Sequence, residues 1–337
     1  MTTVNRRTIL AHAIEGVPQD SDFKVAEMSL PEPAAGELQL RHIYLSLDPW
    51  QRSAIAGRHS PDGTPMQAGD MPPGEVVAQV AQSRHADFAE GDYVRHMGGW
   101  QEYSIADGNL AVKVDAQKAP LSAYLGVLGM PGLTAWASII KLADIQPGQT
   151  VLVSAALGPV GATLGQIALK MGASAVVGIA GSAQKCRYVI EECGFSQCVN
   201  YKSPDYLESL QNALPDGADI YHDNVGGQML IDAIGVMKQY GTVVLCGLIS
   251  QYNDPALAVN LPVALPIMKR LVMKGLVVYD FYNQQKEFFD LVAPWVNDGS
   301  ISFREDRTAG IENAGAHFAK LMCGDNVGKS LIVLGDE

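Results

Sequence analysis

Short apolar runs divided by proline and glycine fill the first third of the chain. LQLRHIYLSL at 38–47, EVVAQV at 75–80 and YSIA at 103–106 are strand-like. PEPAAG at 31–36, SPDGTP at 60–65, MPPG at 71–74 and EGD at 90–92 read as the turns between them. From about residue 150 the period changes. VLVSA at 151–155 reads as a buried strand, and an apolar stripe of Val160, Leu164, Ile167 and Met171 follows it at helical spacing. AVVGIA at 175–180 reads as another strand, followed by a helix that Ser182 is suited to cap. QCVN at 197–200, DIYHD at 219–223 and TVVLCG at 242–247 continue the alternation of strand and helix, and SLIVL at 330–334 is a closing strand. This order predicts an α/β fold, with a parallel sheet and right-handed crossovers behind a β-rich first region.

Composition narrows the function. The 337 residues carry 24 Lys and Arg against 36 Asp and Glu, a net charge of −12. That balance argues against nucleic acid and against anionic membrane surfaces as partners. No run approaches the roughly 18 apolar residues of a membrane span. The opening MTTVNRRTILAHAIEG lacks the apolar core and cleavage site of a signal peptide. Five scattered cysteines, Cys186, Cys193, Cys198, Cys246 and Cys323, form neither a disulfide framework nor a CxxC zinc site. The expected location is the cytoplasm.

The sharpest local signal is VLVSAALGPVGATLGQIALKMGA at 151–173. A strand runs into a tight glycine turn, and an amphipathic helix opens directly after it. Such a turn brings backbone amides up to a pyrophosphate, whose charge sits at the helix N-terminus. The spacing is Ala155-x-x-Gly158-x-x-Gly161 rather than GxGxxG, so its weight comes from its place between strand and helix. The plain alternative is a strand–helix loop with glycines for close packing. An NAD site expects a carboxylate about 20 residues further on, to hold the ribose 2′-hydroxyl. The sequence there is Gly178-Ile179-Ala180-Gly181-Ser182, followed by Lys185 and Arg187, and Tyr201 comes after the next strand. Small residues leave room for a 2′-phosphate and a cation can pair with it, which favours NADPH. Lys185 and Arg187 are otherwise a solvated helix face.

LSLDPWQR at 45–52, GDYV at 91–94, GGWQEY at 98–103, GMPGLTAW at 129–136, AALGPVG at 155–161, AGSAQK at 180–185, NYK at 200–202, DNVGG at 223–227, CGLISQYN at 246–253 and NVGK at 326–329 occur in order along nearly the whole chain. In these motifs the chain resembles the zinc-independent medium-chain dehydrogenase/reductases, and more narrowly their NADPH-dependent leukotriene/prostaglandin reductase and curcumin reductase group. The resemblance implies a GroES-like β-domain over 1–127, completed by 303–337, and a Rossmann NADPH-binding domain over 128–302. It implies cofactor contacts at Met130 and Thr134, at Gly158, Pro159, Val160 and Gly161, and at Lys185 and Tyr201. It extends them to Asn224, to Cys246, Gly247, Leu248, Ile249 and Ser250, to Leu276, Val277 and Val278, and to Asn326. Taken alone, Asn224 would be a turn residue and Asn326 a surface-loop residue. A homodimer is implied as well; the apolar stretch at 256–272 would supply its interface or else be core.

No zinc is expected. No cysteine precedes residue 186, Glu75 in PGE has no histidine beside it, and His42, His59, His85 and His96 are scattered. Without a metal, alcohol oxidation lacks its usual Lewis acid, whereas a polarised alkene needs less help. Hydride addition to the β-carbon of an enal or enone leaves an enolate whose oxygen needs a donor, and whose α-carbon then takes a proton. A tyrosine of ordinary pKa near ~10 stays protonated at neutral pH and can donate. Tyr252 is the candidate; it would otherwise line the pocket without taking part, leaving the cofactor ribose hydroxyl as donor. Trp50 and Tyr279 are candidate pocket residues, and Trp50 stands where relatives carry tyrosine. Asp48 and Arg52 are read as loop anchors. The expected activity is NADPH-dependent reduction of the carbon–carbon double bond of α,β-unsaturated aldehydes and ketones. A quinone reductase of the same fold and a non-catalytic NADPH-binding regulator are the alternatives.

Overall fold

The computed structural model describes residues 4–337. Up to Leu125 the chain runs through β1 (Val4–Leu10), β2 (Phe23–Ser29), β3 (Glu37–Leu47), α1 (Trp50–Ile55), β4 (Val76–Ser83), β5 (Tyr93–His96), β6 (Tyr103–Asp107) and β7 (Val112–Lys113). From Gly126 to Arg304 it passes α2 (Met130–Trp136), β8 (Thr150–Ser154), α3 (Pro159–Lys170), β9 (Ala175–Ala180), α4 (Ala183–Glu191), β10 (Gln197–Asn200) and α5 (Tyr206–Ala213). Then come β11 (Ala218–Asp223), α6 (Gly227–Gly235), β12 (Met237–Leu245), α7 (Ile249–Tyr252), α8 (Ala264–Lys269), β13 (Val272–Gly275) and α9 (Gln285–Asn297). It ends with β14 (Glu305–Ala309), α10 (Ala314–Met322) and β15 (Lys329–Val333). Contacts divide the chain into two units, one reaching Leu125 and resuming over Glu305–Glu337, the other spanning Gly126–Arg304.

In the first unit, the described residues form a sheet in the order β14-β15-β3-β4-β5-β7, with β6 also on β3, and a separate β1-β2 hairpin. Nearly every position of β3 is buried because it lies inside this sheet. A buried cation ties its end to the returning chain. Lys329 Nζ donates to Leu47 O at 2.7 Å, Asp48 Oδ1 at 3.0 Å and Ser330 O at 3.1 Å, so all three ammonium protons are used. Ser46 Oγ donates to the same carboxylate, and Arg52 donates to Gly16 O at 3.0 Å. Asp48 and Arg52 are loop anchors, as their setting in LSLDPWQR suggested. The pattern over residues 1–30 signalled no strand, yet β1 and β2 pair antiparallel from Val4↔Ser29 to Leu10↔Phe23.

In the second unit, the described strands form one parallel sheet ordered β10-β9-β8-β11-β12-β13. Numbered within the unit this is 3-2-1-4-5-6, the doubly wound order, and its direction reverses between β8 and β11. Leu152, Val177, Ile179, Tyr221 and Val243 pack from the sheet against Leu210, Ala233 and Ile234 of the helices. Each such buried aliphatic side chain contributes about 1.5–3 kcal/mol. The predicted strand at 242–247 lies differently: β12 begins at Met237, and Cys246 and Gly247 fall just past its end. The segment 256–272 is divided: Leu261, Leu265 and Leu271 pack partly buried against the core, while other apolar side chains face outward. Val263, Ile267 and Met268 are each about two-thirds exposed, at 66%, 69% and 68%.

Candidate functional site

A doubly wound sheet binds ligands at the carboxyl ends of its strands, at the point where the strand order reverses. Here that point is the ends of β8 and β11. Past Ser154 the chain turns at Ala155, a non-glycine residue at φ 51, a backbone that costs about 1 kcal/mol. Gly158 caps α3, no side chain satisfies the cap, and Pro159 needs no N–H at the first helical position. The amides of the first turn, at Val160 and Gly161, therefore have no side chain in front of them. A Cβ at Gly158 would stand 3.1 Å from Ala155 O, and one at Gly161 only 2.5 Å from it. The loop is tightened around bare backbone, which fits a pyrophosphate.

The end of β9 is different in kind. Ala180, Gly181 and Ser182 offer no carboxylate, and the Ser182 hydroxyl accepts from Lys185 N at 3.2 Å, which opens α4. Tyr201 N donates to Ala180 O at 3.0 Å, and the Tyr201 ring lies against Gly181, where a Cβ would come within 3.2 Å of it. Lys202 Nζ stands 5.9 Å from the centre of that ring. Lys185 and Tyr201 thus belong to neighbouring turns, with Lys202 as a cation that sequence reading had not singled out. An adenosine 2′-phosphate suits this composition better than a free 2′-hydroxyl does.

β11 ends in a buried polar knot. The Asp223 carboxylate accepts from Tyr221 Oη at 2.7 Å, from Ser154 Oγ at 3.2 Å, and from the amides of Val225 and Gly226. Burial raises the Asp223 pKa, and these donors oppose the rise. Asn224 Nδ2 donates to Ser154 O at 2.8 Å, and its Oδ1 meets His222 Nε2 at 3.1 Å. His222 Nδ1 lies 2.7 Å from Ser138 Oγ, in the π-helical turn after α2. Burial lowers the His222 pKa to about 4, so the ring is neutral; Ser138 donates to Nδ1 and Nε2–H donates to Asn224. Nothing in the spacing of these residues announces the knot, because its partners come from three separate strand ends and loops.

The loop after β12 is stitched to this knot. Cys246 N and Gly247 N both donate to Asp223 O, at 2.9 and 3.1 Å, and Ser250 Oγ donates to Val225 O at 2.6 Å. Burial pushes the Cys246 thiol up to about 12. Leu248 is exposed, Ile249 is half-buried, and Leu248 N donates to the Tyr252 phenolic oxygen at 3.3 Å. On α2, Met130 is half-buried, and the Thr134 hydroxyl donates to Met130 O at 2.8 Å. Leu276 is buried, Val277 exposed, Val278 half-buried, and exposed Tyr279 stacks edge-on against Tyr282 with ring centres 5.6 Å apart. In the first unit, Trp50 is half-buried with an edge contact to His59, and Asn326 Nδ2 donates to Gly328 O at 2.8 Å.

Residues 6–114 match the family described as an N-terminal domain of oxidoreductase, and residues 159–296 match one described as a zinc-binding dehydrogenase. The residues do not fit that metal. Glu75 is held by Arg95 Nε at 3.0 Å, and His42 lies between Gln101 O at 2.7 Å and Ser104 Oγ at 2.8 Å. Among the described residues, no group of three or more His, Cys, Asp or Glu side chains is placed to hold a metal ion. The chain is 38% identical to the NADPH-dependent curcumin reductase of Escherichia coli (strain K12), over 99% of this chain and 98% of that one. It is 36% identical to the NADP-dependent 2-alkenal reductase of Nicotiana tabacum, over 99% and 98%. The structure of CurA from Vibrio vulnificus in complex with NADPH superposes with a TM-score of 0.92 at 35% identity, covering 98% of this chain and all of that one.

Proposed function

The chain belongs to the zinc-independent medium-chain dehydrogenase/reductases, in the group of curcumin, prostaglandin and 2-alkenal reductases, and from that premise we propose how its residues divide the work. It is an NADPH-dependent oxidoreductase that reduces the carbon–carbon double bond of α,β-unsaturated aldehydes and ketones. The observation that carries this reading is near-full-length similarity to reductases of that one chemistry. The test follows NADPH absorbance with a 2-alkenal, an aryl enone, a quinone and a saturated aldehyde. Turnover of the enal and enone alone supports the reading, whereas turnover of the quinone alone overturns it.

Bound NADPH supplies the hydride that reduces the β-carbon. The chain's own part is to hold charge and position donors. The first-turn amides of α3 take the pyrophosphate, with Gly158, Pro159, Val160 and Gly161 forming the loop. Lys185 and Tyr201 take the 2′-phosphate. Asn224, held at both ends of its amide by His222 and Ser154, keeps its second Nδ2 proton for the cofactor. Within the second unit, Met130, Thr134, the 246–250 loop and Leu276 to Val278 complete the cofactor contacts, and Tyr279 lines the substrate pocket. Tyr252 donates to the substrate carbonyl oxygen as negative charge develops on it. The bond its oxygen accepts from Leu248 N polarises the phenol and makes it a better donor.

The working state is a homodimer in the cytoplasm. β13 is an edge strand with Val272 exposed on it, and α8, which packs on β12, leaves Val263 at its cap, Ile267 and Met268 exposed. An edge strand and an apolar helix face left exposed are suited to a second copy. Light scattering should give twice the chain mass, and Ile267→Asp should halve it; a monomeric wild type contradicts the dimer. A reducing compartment suits five unpaired thiols.

A further inference from the structure

Double-bond reduction leaves one pair of thiols unused. Cys186 lies in the second half of the first turn of α4, and Cys198 lies on β10, the strand that α4 packs against. Their sulfurs are hydrogen-bonded, with Cys198 donating to Cys186, and the Ala180 amide also donates to the Cys186 sulfur. The bond from Cys198 is the larger influence holding the Cys186 thiol below its ordinary range; burial opposes it and the Ala180 amide adds to it. The same pair bond, with burial, pushes Cys198 up. A cavity of about 350 Å³ is lined by both cysteines together with Arg187 and Ile190. The arrangement supplies a nucleophilic thiol, a second thiol in contact with it, and a way in for a small reagent. By contrast, burial pushes the thiol of Cys193 up to about 12.

We propose that Cys186 and Cys198 form a peroxide-sensitive dithiol whose disulfide weakens NADPH binding. Cys186 sulfur attacks one peroxide oxygen, the O–O bond breaks, and one water leaves with a sulfenic acid formed on Cys186. Cys198 sulfur then attacks that sulfenic sulfur, the S–O bond breaks, and a second water leaves. Two thiols lose two electrons in total, hydrogen peroxide gains them, and the S–S bond closes. The effect on affinity rests on the assignment of Lys185 and Tyr201 to the 2′-phosphate. Lys185 directly precedes Cys186, and Tyr201 follows Cys198 by three positions. Drawing the sulfurs from hydrogen-bond contact to about 2.05 Å pulls the first turn of α4 towards β10 and shifts Lys185 against Tyr201.

The purified full-length enzyme is treated with a small excess of hydrogen peroxide, then digested without reductant for peptide mass spectrometry. KM for NADPH and for NADH is measured before treatment, after it, and after added dithiothreitol. The expected result is a linked Cys186–Cys198 peptide pair and an NADPH KM about tenfold higher, the scale of one weakened charge-assisted hydrogen bond. NADH should be unaffected, and dithiothreitol should reverse both changes. Cys198→Ser should keep basal activity and retain its NADPH KM under peroxide, while Cys323→Ser should respond like the wild type. Absence of the linked pair, or a peroxide response that persists in Cys198→Ser, overturns the proposal. A linked pair with an unchanged NADPH KM overturns the effect on binding. A reduced enzyme that does not prefer NADPH to NADH overturns the 2′-phosphate assignment, while the linked peptides still report the dithiol independently.

Discussion

The turns that follow β8 and β9 begin at neighbouring strand ends and use opposite means. After β8 the turn is made of backbone: a left-handed Ala155, a Gly158 cap with no side chain, and Gly161 with no room for a Cβ. After β9 it is made of side chains: Ser182 caps its helix, Tyr201 lies against Gly181, and Lys185 and Lys202 supply charge. Backbone amides recognise a diphosphate in any dinucleotide. Choice between dinucleotides must come from side chains, because the 2′-phosphate is the chemical difference. On the proposed assignment, one turn governs whether a cofactor binds and the other governs which.

The strongest way to break this division is Gly161→Val. Its side chain would be forced against Ala155 O, and kcat/KM should fall more than about a hundredfold with NADPH and NADH alike. A loss confined to NADPH would mean that the β8 turn also discriminates. Tyr252→Phe leaves both turns intact and removes the phenolic oxygen, both the donor and the acceptor of Leu248 N. Its kcat should fall about a hundredfold with the KM for NADPH nearly unchanged, as for loss of one oxyanion donor; unchanged kcat would return the role to the ribose hydroxyl.

Smaller effects probe what lies beneath the turns. The His222 pKa is lowered to about 4 in the fold, against an ordinary 6.5, so below pH 6.5 the unfolded chain takes up a proton that the fold refuses. Its contribution is present above pH 6.5 and is lost as pH falls towards 4, about 2 kcal/mol of it by pH 5. In urea unfolding at pH 7 and pH 5, His222→Gln should lose about that much less than the wild type. Lys185→Ala sharpens the comparison most selectively. The NADPH KM should rise about tenfold while that for NADH stays the same; equal rises would remove Lys185 from the 2′-phosphate. A chelator should change nothing, and activity lost with EDTA and restored by zinc would contradict the metal-free reading.

What was legible in the sequence is what is local. Ser182 is read as a cap because a helix start needs an oxygen at that one position, and α3 is read from a stripe that repeats every turn. The start of β12 was hidden because Tyr240 sits at φ 65 and Gly241 follows it, which breaks the alternation that marks a strand. The Asp223 knot was hidden for another reason. Tyr221, His222 and Asp223 look like an ordinary strand end until Ser154 and Ser138 meet them, from 69 and 84 residues away. The stretch at 256–272 shows the converse: Leu261, Leu265 and Leu271 pack on the core while Val263, Ile267 and Met268 face outward, a division that apolar content alone does not reveal.

The most direct test of double-bond reduction is to run the enzyme on a 2-alkenal with NADPH carrying deuterium at carbon 4 of the nicotinamide, and to locate the label in the product by NMR. The saturated aldehyde with deuterium on its β-carbon is the predicted product. An allylic alcohol with deuterium on the former carbonyl carbon would contradict it.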